Sequence, residues 1–323
     1  MNGKGLVLIT AAFFVAGGAG AAYEYAGKWG SSGSGNGQFK NPRGVALAPN
    51  GNVYVTDYHN NRVQYFTSSG RYLGKWGSRG TGNGQFKDPT GAALAPNGNA
   101  YVTDFGNNRV QYFTSSGSYL GKWGSRGTGN GQFKDPLAVA VASNGNVYVT
   151  EDDNERVQYF TSTGSFLGKW GSSGSGNGEL SGPSGVAIAS NGNVYVADTQ
   201  NHRVQYFTSS GSYLGKWGSF GFGEGKFIGT FGVAVASNGN VYVTDWGNDR
   251  VQYFTSTGSF LGKWGSRGSG NGQFVVPFGI AVTPDGAYVY VADQGNSRIQ
   301  YFVDDHQVAV APASLGRVKA LFR

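Results

Sequence analysis

The residues of this chain that could do chemistry are few, and most of them are repeated. An acid recurs at Asp57, Asp104, Glu151, Asp198, Asp245 and Asp293, each followed by an arginine at Arg62, Arg109, Arg156, Arg203, Arg250 and Arg298. A carboxylate close to a guanidinium could serve acid–base work. A catalytic pair need occur only once, however, and a sixfold copy argues for hydrogen bonds and an ion pair that tie a turn together. The histidines are His59, His202 and His306. They fall at non-equivalent positions of the repeat, and no three-ligand zinc set can be assembled from them. In the third repeat the run Glu151-Asp152-Asp153-Asn154-Glu155 carries four carboxylates. Oxygen ligands of this kind hold Ca²⁺, with Asp152 and Asp153 as the candidates; the spacing matches no established loop, and a solvated acidic turn is the plainer reading. No Ser-His-Asp or Cys-His arrangement is visible. The loops of the type Gly33 to Gly37 lack the strand–loop–helix context of a phosphate loop. No catalytic residue and no resident cofactor follow.

The elements that must position these residues are set by a period. Gly-Lys-Trp-Gly recurs every 47 residues, at Trp29, Trp76, Trp123, Trp170, Trp217 and Trp264. A fixed period of this size means one supersecondary unit copied side by side. In the first copy, Val45 to Ala48 is a short apolar run suited to a buried strand, and Asn50-Gly51 tolerates the positive φ of a hairpin. Asn52 to Thr56 is a β-branched and aromatic strand. After the polar turn Asp57 to Arg62 come Val63 to Phe66, a second turn, and Tyr72 to Trp76. Four antiparallel strands per copy, with no helical period, predict an all-β, six-bladed β-propeller. The sixth copy has three strands and one extra residue near Ala287. Residues 23–29 are therefore expected to supply its fourth strand and close the ring, leaving no long edge.

Pro-x-Gly-Val, Asn-Val-Tyr-Val-x-Asp, Asn-Arg-Val-Gln-Tyr-Phe and Gly-x-Gly-x-Gln-Phe together resemble the NHL-repeat family of six-bladed propellers. The resemblance spans roughly residues 23–303. It implies a propeller fold and a structural use for the Asp–Arg pair. It leaves the role open, since such propellers include RNA-binding and protein-binding modules, lactone hydrolase relatives and a lyase. A metal-dependent hydrolase or lyase and a nucleic-acid-binding module are thus the alternatives to a non-catalytic binding scaffold.

Composition narrows the setting. The chain has 323 residues, 57 of them glycine, a net charge of +7 and no cysteine, so disulfides and thiol chemistry are excluded. Met1 to Lys4 is a short basic start, and Gly5 to Ala22 carries no charge. Residues 1–22 read as a signal peptide with a small-x-small site at Ala19-Gly20-Ala21, or as an uncleaved membrane anchor. Either places the propeller, residues 23–303, outside the cytoplasm, secreted or at the cell surface, which disfavours nucleic acid as a partner. Residues 304–323 form a C-terminal tail without an assigned place.

Where the copies differ, they point to one rim. The position after the proline reads Arg43, Thr90, Leu137, Ser184, Phe231 and Phe278; the position after the acid reads Tyr58, Phe105, Asp152, Thr199, Trp246 and Gln294; the glycine loop reads Ser32, Arg79, Arg126, Ser173, Phe220 and Arg267. These loops should emerge on the same face. Arg43, Arg79 and Arg126, with Lys40, Lys87 and Lys134, suggest a basic sector, and Phe220, Phe222, Phe231, Trp246 and Phe278 an aromatic one; the rim is expected around Tyr58, Phe105, Phe231, Trp246 and Phe278, flanked by the three arginines. Such a rim suits a protein or glycan partner.

Overall fold

The structure, a computed structural model, describes residues 23–305. In the first blade, strands β2 (Pro42–Leu47), β3 (Val53–Asp57), β4 (Arg62–Phe66) and β5 (Tyr72–Trp76) follow β1 (Tyr23–Trp29) in the chain and pair as the antiparallel sheet β2-β3-β4-β5. The Asn-Gly signal reverses the chain as expected: Gly51 takes φ 82° and its N–H donates to the Ala48 carbonyl at 2.9 Å. The polar turn is a single turn of 3₁₀ helix, Tyr58–Asn60, ended by Asn61 in the left-handed region. Four more sheets repeat this order, and the sixth differs only in the source of one strand.

That sheet combines Pro277–Val282, Tyr288–Asp293 and Arg298–Asp304 with β1 as its outer strand. Pairing runs from Tyr23 opposite Asp304 to Trp29 opposite Ile299. The ring is therefore closed by the N-terminal strand, as the offset of the repeat requires, and the pairing continues one residue beyond 303. Residues 1–22, read above as a signal peptide or anchor, and residues 306–323 of the tail lie outside the described residues.

The apolar core lies between blades rather than within them. One cluster joins Ala48, Tyr54 and Val63 of the first blade to Phe86, Val102 and Phe113, which belong to the next repeat. All five residues of β3 are buried, because a neighbour covers each of its faces. A single copy could bury neither face, which is why the units must stack. At the axis the inner strands touch backbone to backbone. A Cβ on Gly44 would stand 2.5 Å from the Thr90 carbonyl oxygen, and one on Gly232 would stand 2.5 Å from that of Phe278. Glycine at this position lets the inner strands approach.

Closure creates one irregularity that a tyrosine repairs. In the first five blades a glycine of the turn before the outer strand lies under the tryptophan of the preceding blade; a Cβ on Gly70 would come within 2.7 Å of Trp29. The sixth blade has no such turn, because its third and fourth strands come from opposite ends of the chain. Tyr23 takes the vacant place. Its ring lies 4.8 Å from that of Trp264, its hydroxyl meets Tyr242 Oη at 2.6 Å and donates to the Gly286 carbonyl at 2.8 Å. Trp264 is accordingly only 6% exposed, while the other five repeat tryptophans are half-buried. Tyr23→Ala is expected to lower the unfolding free energy by about 3–5 kcal/mol, the usual cost of truncating a buried aromatic, and Tyr23→Phe by about 1–2 kcal/mol through its unpaired neighbours. Denaturant unfolding followed by tryptophan fluorescence checks both. Equal, negligible effects would mean that Tyr23 does not hold the closure.

Candidate functional site

The face that carries the varied residues is fixed by a buried polar lattice repeated in each blade. In the first, Asp57 Oδ2 accepts from Arg62 Nε at 2.7 Å and from Asn60 Nδ2 at 2.9 Å, while Asp57 Oδ1 accepts from the Lys40 N–H at 2.7 Å. Arg62 also donates to the carbonyls of Ser34, Gly35 and Gln38, and Gln64 bonds both Gly37 N–H and the Gln38 carbonyl. Those partners all lie in the glycine loop. Its backbone is pinned from below, and residues such as Arg79, Arg126 and Phe220 are turned outward and exposed.

A second device latches each of the first five blades to the next. Asn61 Oδ1 accepts from the Asp88 N–H at 3.0 Å, and Asn108, Glu155, His202 and Asp249 do the same for residues 135, 182, 229 and 276. All five occupy the left-handed region, where asparagine and aspartate are at ease and glutamate and histidine are less so. The repeat position thus tolerates any side chain that can accept a hydrogen bond. This gives His202 a structural role through Nδ1, 3.1 Å from the Gly229 N–H. It gives Glu155 one too, at 2.6 Å from the Gly182 N–H.

The acidic third turn is therefore less free than its composition suggests. Glu151 is fully buried and replaces aspartate in the lattice, with Arg156 Nε at 2.6 Å. Glu155 is the latch. Asp152, half-buried, and Asp153, exposed, remain. Among the described residues no group of three or more His, Cys, Asp or Glu side chains is arranged to hold a metal ion. His59 lies half-exposed with Nδ1 3.8 Å from Asp88, and His306 is outside the described residues. Burial, followed by Asp153, pushes the Asp135 carboxyl above its usual range, and Arg126 and Lys134 work against that rise.

At the axis, the structure brings four of the nine candidate rim residues into one wall. A cavity of about 300 Å³ at the channel mouth is lined by Arg43, Phe231, Trp246 and Phe278, and on other sides by Asp152, Ser184, Thr199, Gln200, Val276 and Gln294. Below it a smaller cavity of about 70 Å³ runs down between glycines and valines of the inner strands. Phe231 and Phe278 pack with ring centroids 4.0 Å apart. Tyr58 joins the wall indirectly: the Arg43 guanidinium carbon lies 3.7 Å from its ring centroid and 5.2 Å from that of Phe278. Arg79, Arg126, Phe105 and Phe220 are not among the residues that line it. Phe220 packs edge-on against His202 at 5.1 Å. Sequence comparison of the repeats did not single out Gln200 or Val276. The available signal was that Val276 stands where other copies have Asn41, Asp88 and Asp135, and it holds φ 55° despite its branched Cβ.

With this geometry in hand, comparison with known proteins is informative about fold. An NHL-repeat model matches residues 39–66, 86–113, 180–207 and 232–254. These stretches fall on the first, second, fourth and fifth blades; the third has Ala138 and Glu151 where the others have glycine and aspartate, and the sixth carries the extra residue. No curated protein matches the sequence. Among solved structures, a streptogramin B lyase is similar with 15% identity and a TM-score of 0.60, over 87% of this chain and 97% of that one. A gluconolactonase from Xanthomonas campestris is similar at 14% identity and a TM-score of 0.62, over 83% of this chain and 87% of that one. A protein of unknown function from Bacteroides thetaiotaomicron gives 18% and 0.63, over 86% of this chain and 76% of that one. At such identities the likeness is one of fold.

Burial, followed by the nearby Asp153 and Asp135, pushes the Asp152 carboxyl above its usual range. A carboxyl raised in the folded chain keeps its proton to higher pH than in the unfolded chain, so its ionisation costs stability as pH rises from mild acid toward neutral. Asp152→Asn is expected to raise the melting temperature at neutral pH, with the gain fading in acid where Asp152 is protonated in both states. A gain that stays constant across this range would show that charge at Asp152 is not the cause.

Proposed function

The chain is a six-bladed β-propeller of NHL repeats, and we propose that it is an exported, non-catalytic binding module whose varied face docks a protein partner. The observation that carries this reading is the placement of the exposed aromatics. Among the described residues the exposed phenylalanines and tryptophan are Phe220 (63%), Phe222 (74%) and Trp246 (38%), and all three belong to loops of one face at the fifth blade. Large apolar rings held in water by a pinned loop gain free energy when a partner covers them. Phenylalanine brings no hydrogen-bonding group, which fits apolar anchoring of a polypeptide better than the polar contacts a sugar demands. The rigid lattice beneath limits the entropy lost on docking.

Catalysis has no comparable support. The repeated Asp–Arg pairs are consumed by the fold, His202 and Glu155 are latches, and the likeness to lyases and lactonases is one of architecture. Export is proposed from the charge-free segment that precedes the propeller.

Screening the full chain against peptide and glycan arrays is expected to give protein-derived ligands whose binding falls at least about tenfold in Phe220→Ala/Phe222→Ala/Trp246→Ala, as for the loss of central aromatic anchors. The melting temperature of the variant should change little, since none of the three is buried. Binding that survives the triple substitution, or that goes to glycans alone, overturns the reading.

A further inference from the structure

The residue on this face that the docking surface does not explain is Arg43. Five of the six repeats place a neutral residue at its position, so the ring does not need a cation there. Arg43 stands on the inner strand at the mouth, its guanidinium between the rings of Tyr58 and Phe278. Its Nε is buried and has no hydrogen-bond partner. Burial works against its charge, and Tyr58 and Asp88 oppose that effect without closing an ion pair among the described residues. A desolvated cation with an unmet donor is costly unless something supplies an acceptor. The arginines of the lattice make the contrast: Arg62, Arg109, Arg156, Arg203, Arg250 and Arg298 each hold a carboxylate within 2.8 Å.

The cavity that Arg43 lines defines what would fit. Its volume of about 300 Å³ suits a molecule of one ring with a short side chain. Phe231, Phe278 and Trp246 offer apolar faces beside the cation, and Gln200 and Gln294 offer amides. Asp152 on the wall opposes a second negative charge. Strain is also concentrated here, since Val276, which lines the same cavity, is among the described residues the one β-branched side chain held at positive φ.

We infer that the channel mouth is a binding site for a small monocarboxylate carrying a flat apolar group, its carboxylate on the Arg43 guanidinium and its ring against Phe231, Phe278 and Trp246. The inference rests on the reading of this face as the binding face, but through different residues, apart from Trp246. The planar guanidinium can take the carboxylate in a two-point fork through its terminal N–H groups. A dicarboxylate is disfavoured by Asp152, and an amide lacks the charge.

Phenylacetate and phenylacetamide, titrated into the full chain by calorimetry, test this. Phenylacetate is expected to bind and phenylacetamide to bind at least about tenfold more weakly, the worth of a charge-assisted hydrogen bond. Arg43→Gln should remove that preference, Arg43→Lys should keep part of it, and Arg71→Gln, on an exposed turn away from the cavity, should change nothing. Melting curves of the variants separate lost binding from lost fold; if Arg43→Gln unfolds, Arg43→Lys and the acid–amide contrast decide. Equal affinity for acid and amide, or no binding of phenylacetate at millimolar concentration, overturns the inference. Phe220→Ala/Phe222→Ala leaves the cavity intact, so its effect on a docked protein and its lack of effect on phenylacetate would tell the two readings apart.

Discussion

Everything on the varied face depends on one buried ion pair per blade. Taking a carboxylate and a guanidinium out of water is costly, and the pair alone would scarcely repay it. What makes it tenable is saturation. Each acid meets a backbone N–H, an arginine and an asparagine, and each arginine spends its remaining N–H groups on three carbonyls of the glycine loop. The loop has no apolar side chain of its own to bury apart from residues such as Phe39 and Phe86, so these bonds hold its course. A glycine-rich segment that would otherwise be mobile becomes a fixed platform, and whatever side chain it carries is presented without further ordering. The same logic explains why Glu151 can stand in for aspartate: the longer side chain still reaches Arg156, Asn154 and Gln158.

Stacking supplies the rest. The core is shared between neighbours, and hydroxyls bridge the inner strands, as where Thr56 donates to the Thr90 carbonyl at 2.6 Å. In the fourth blade that threonine is Ala197, and the bridge is rebuilt from other atoms: Thr199 donates to the Thr230 carbonyl at 2.7 Å and Ser184 to that of Phe231 at 3.0 Å. In the sixth blade the position is Ala292, which has no hydroxyl to give, and the Tyr290–Ser68 bond at the same seam is 3.2 Å where its counterparts are 2.9–3.0 Å. Among the described residues, the seam between last and first blades is thus held by fewer polar bridges than the others. Arg43 lies on that seam, with Tyr58 from its own blade and Phe278 from the last.

Repetition also separates structure from function in a way a single-copy fold does not allow. A feature present in every blade belongs to the architecture. A feature present once is open to another use, unless the geometry shows it filling a repeated role with different chemistry. His202 and Glu155 look singular in the sequence and are repeated latches in space. Arg43 remains singular in both.

The sequence alone determined the blade count, the number and order of strands in each blade, and the closure by residues 23–29, because each is a matter of local pattern and of neighbour-to-neighbour stacking at a fixed period. It also located the varied positions on one face, since alternating strand direction sends those loops the same way. It could not tell that the acidic turn is half committed to the lattice or that Tyr23 covers Trp264. Nor could it bring Arg43 against Phe278, residues at nearly opposite ends of the propeller. Those facts depend on side-chain directions and on the meeting of first and last blades, which exist only once the ring has closed.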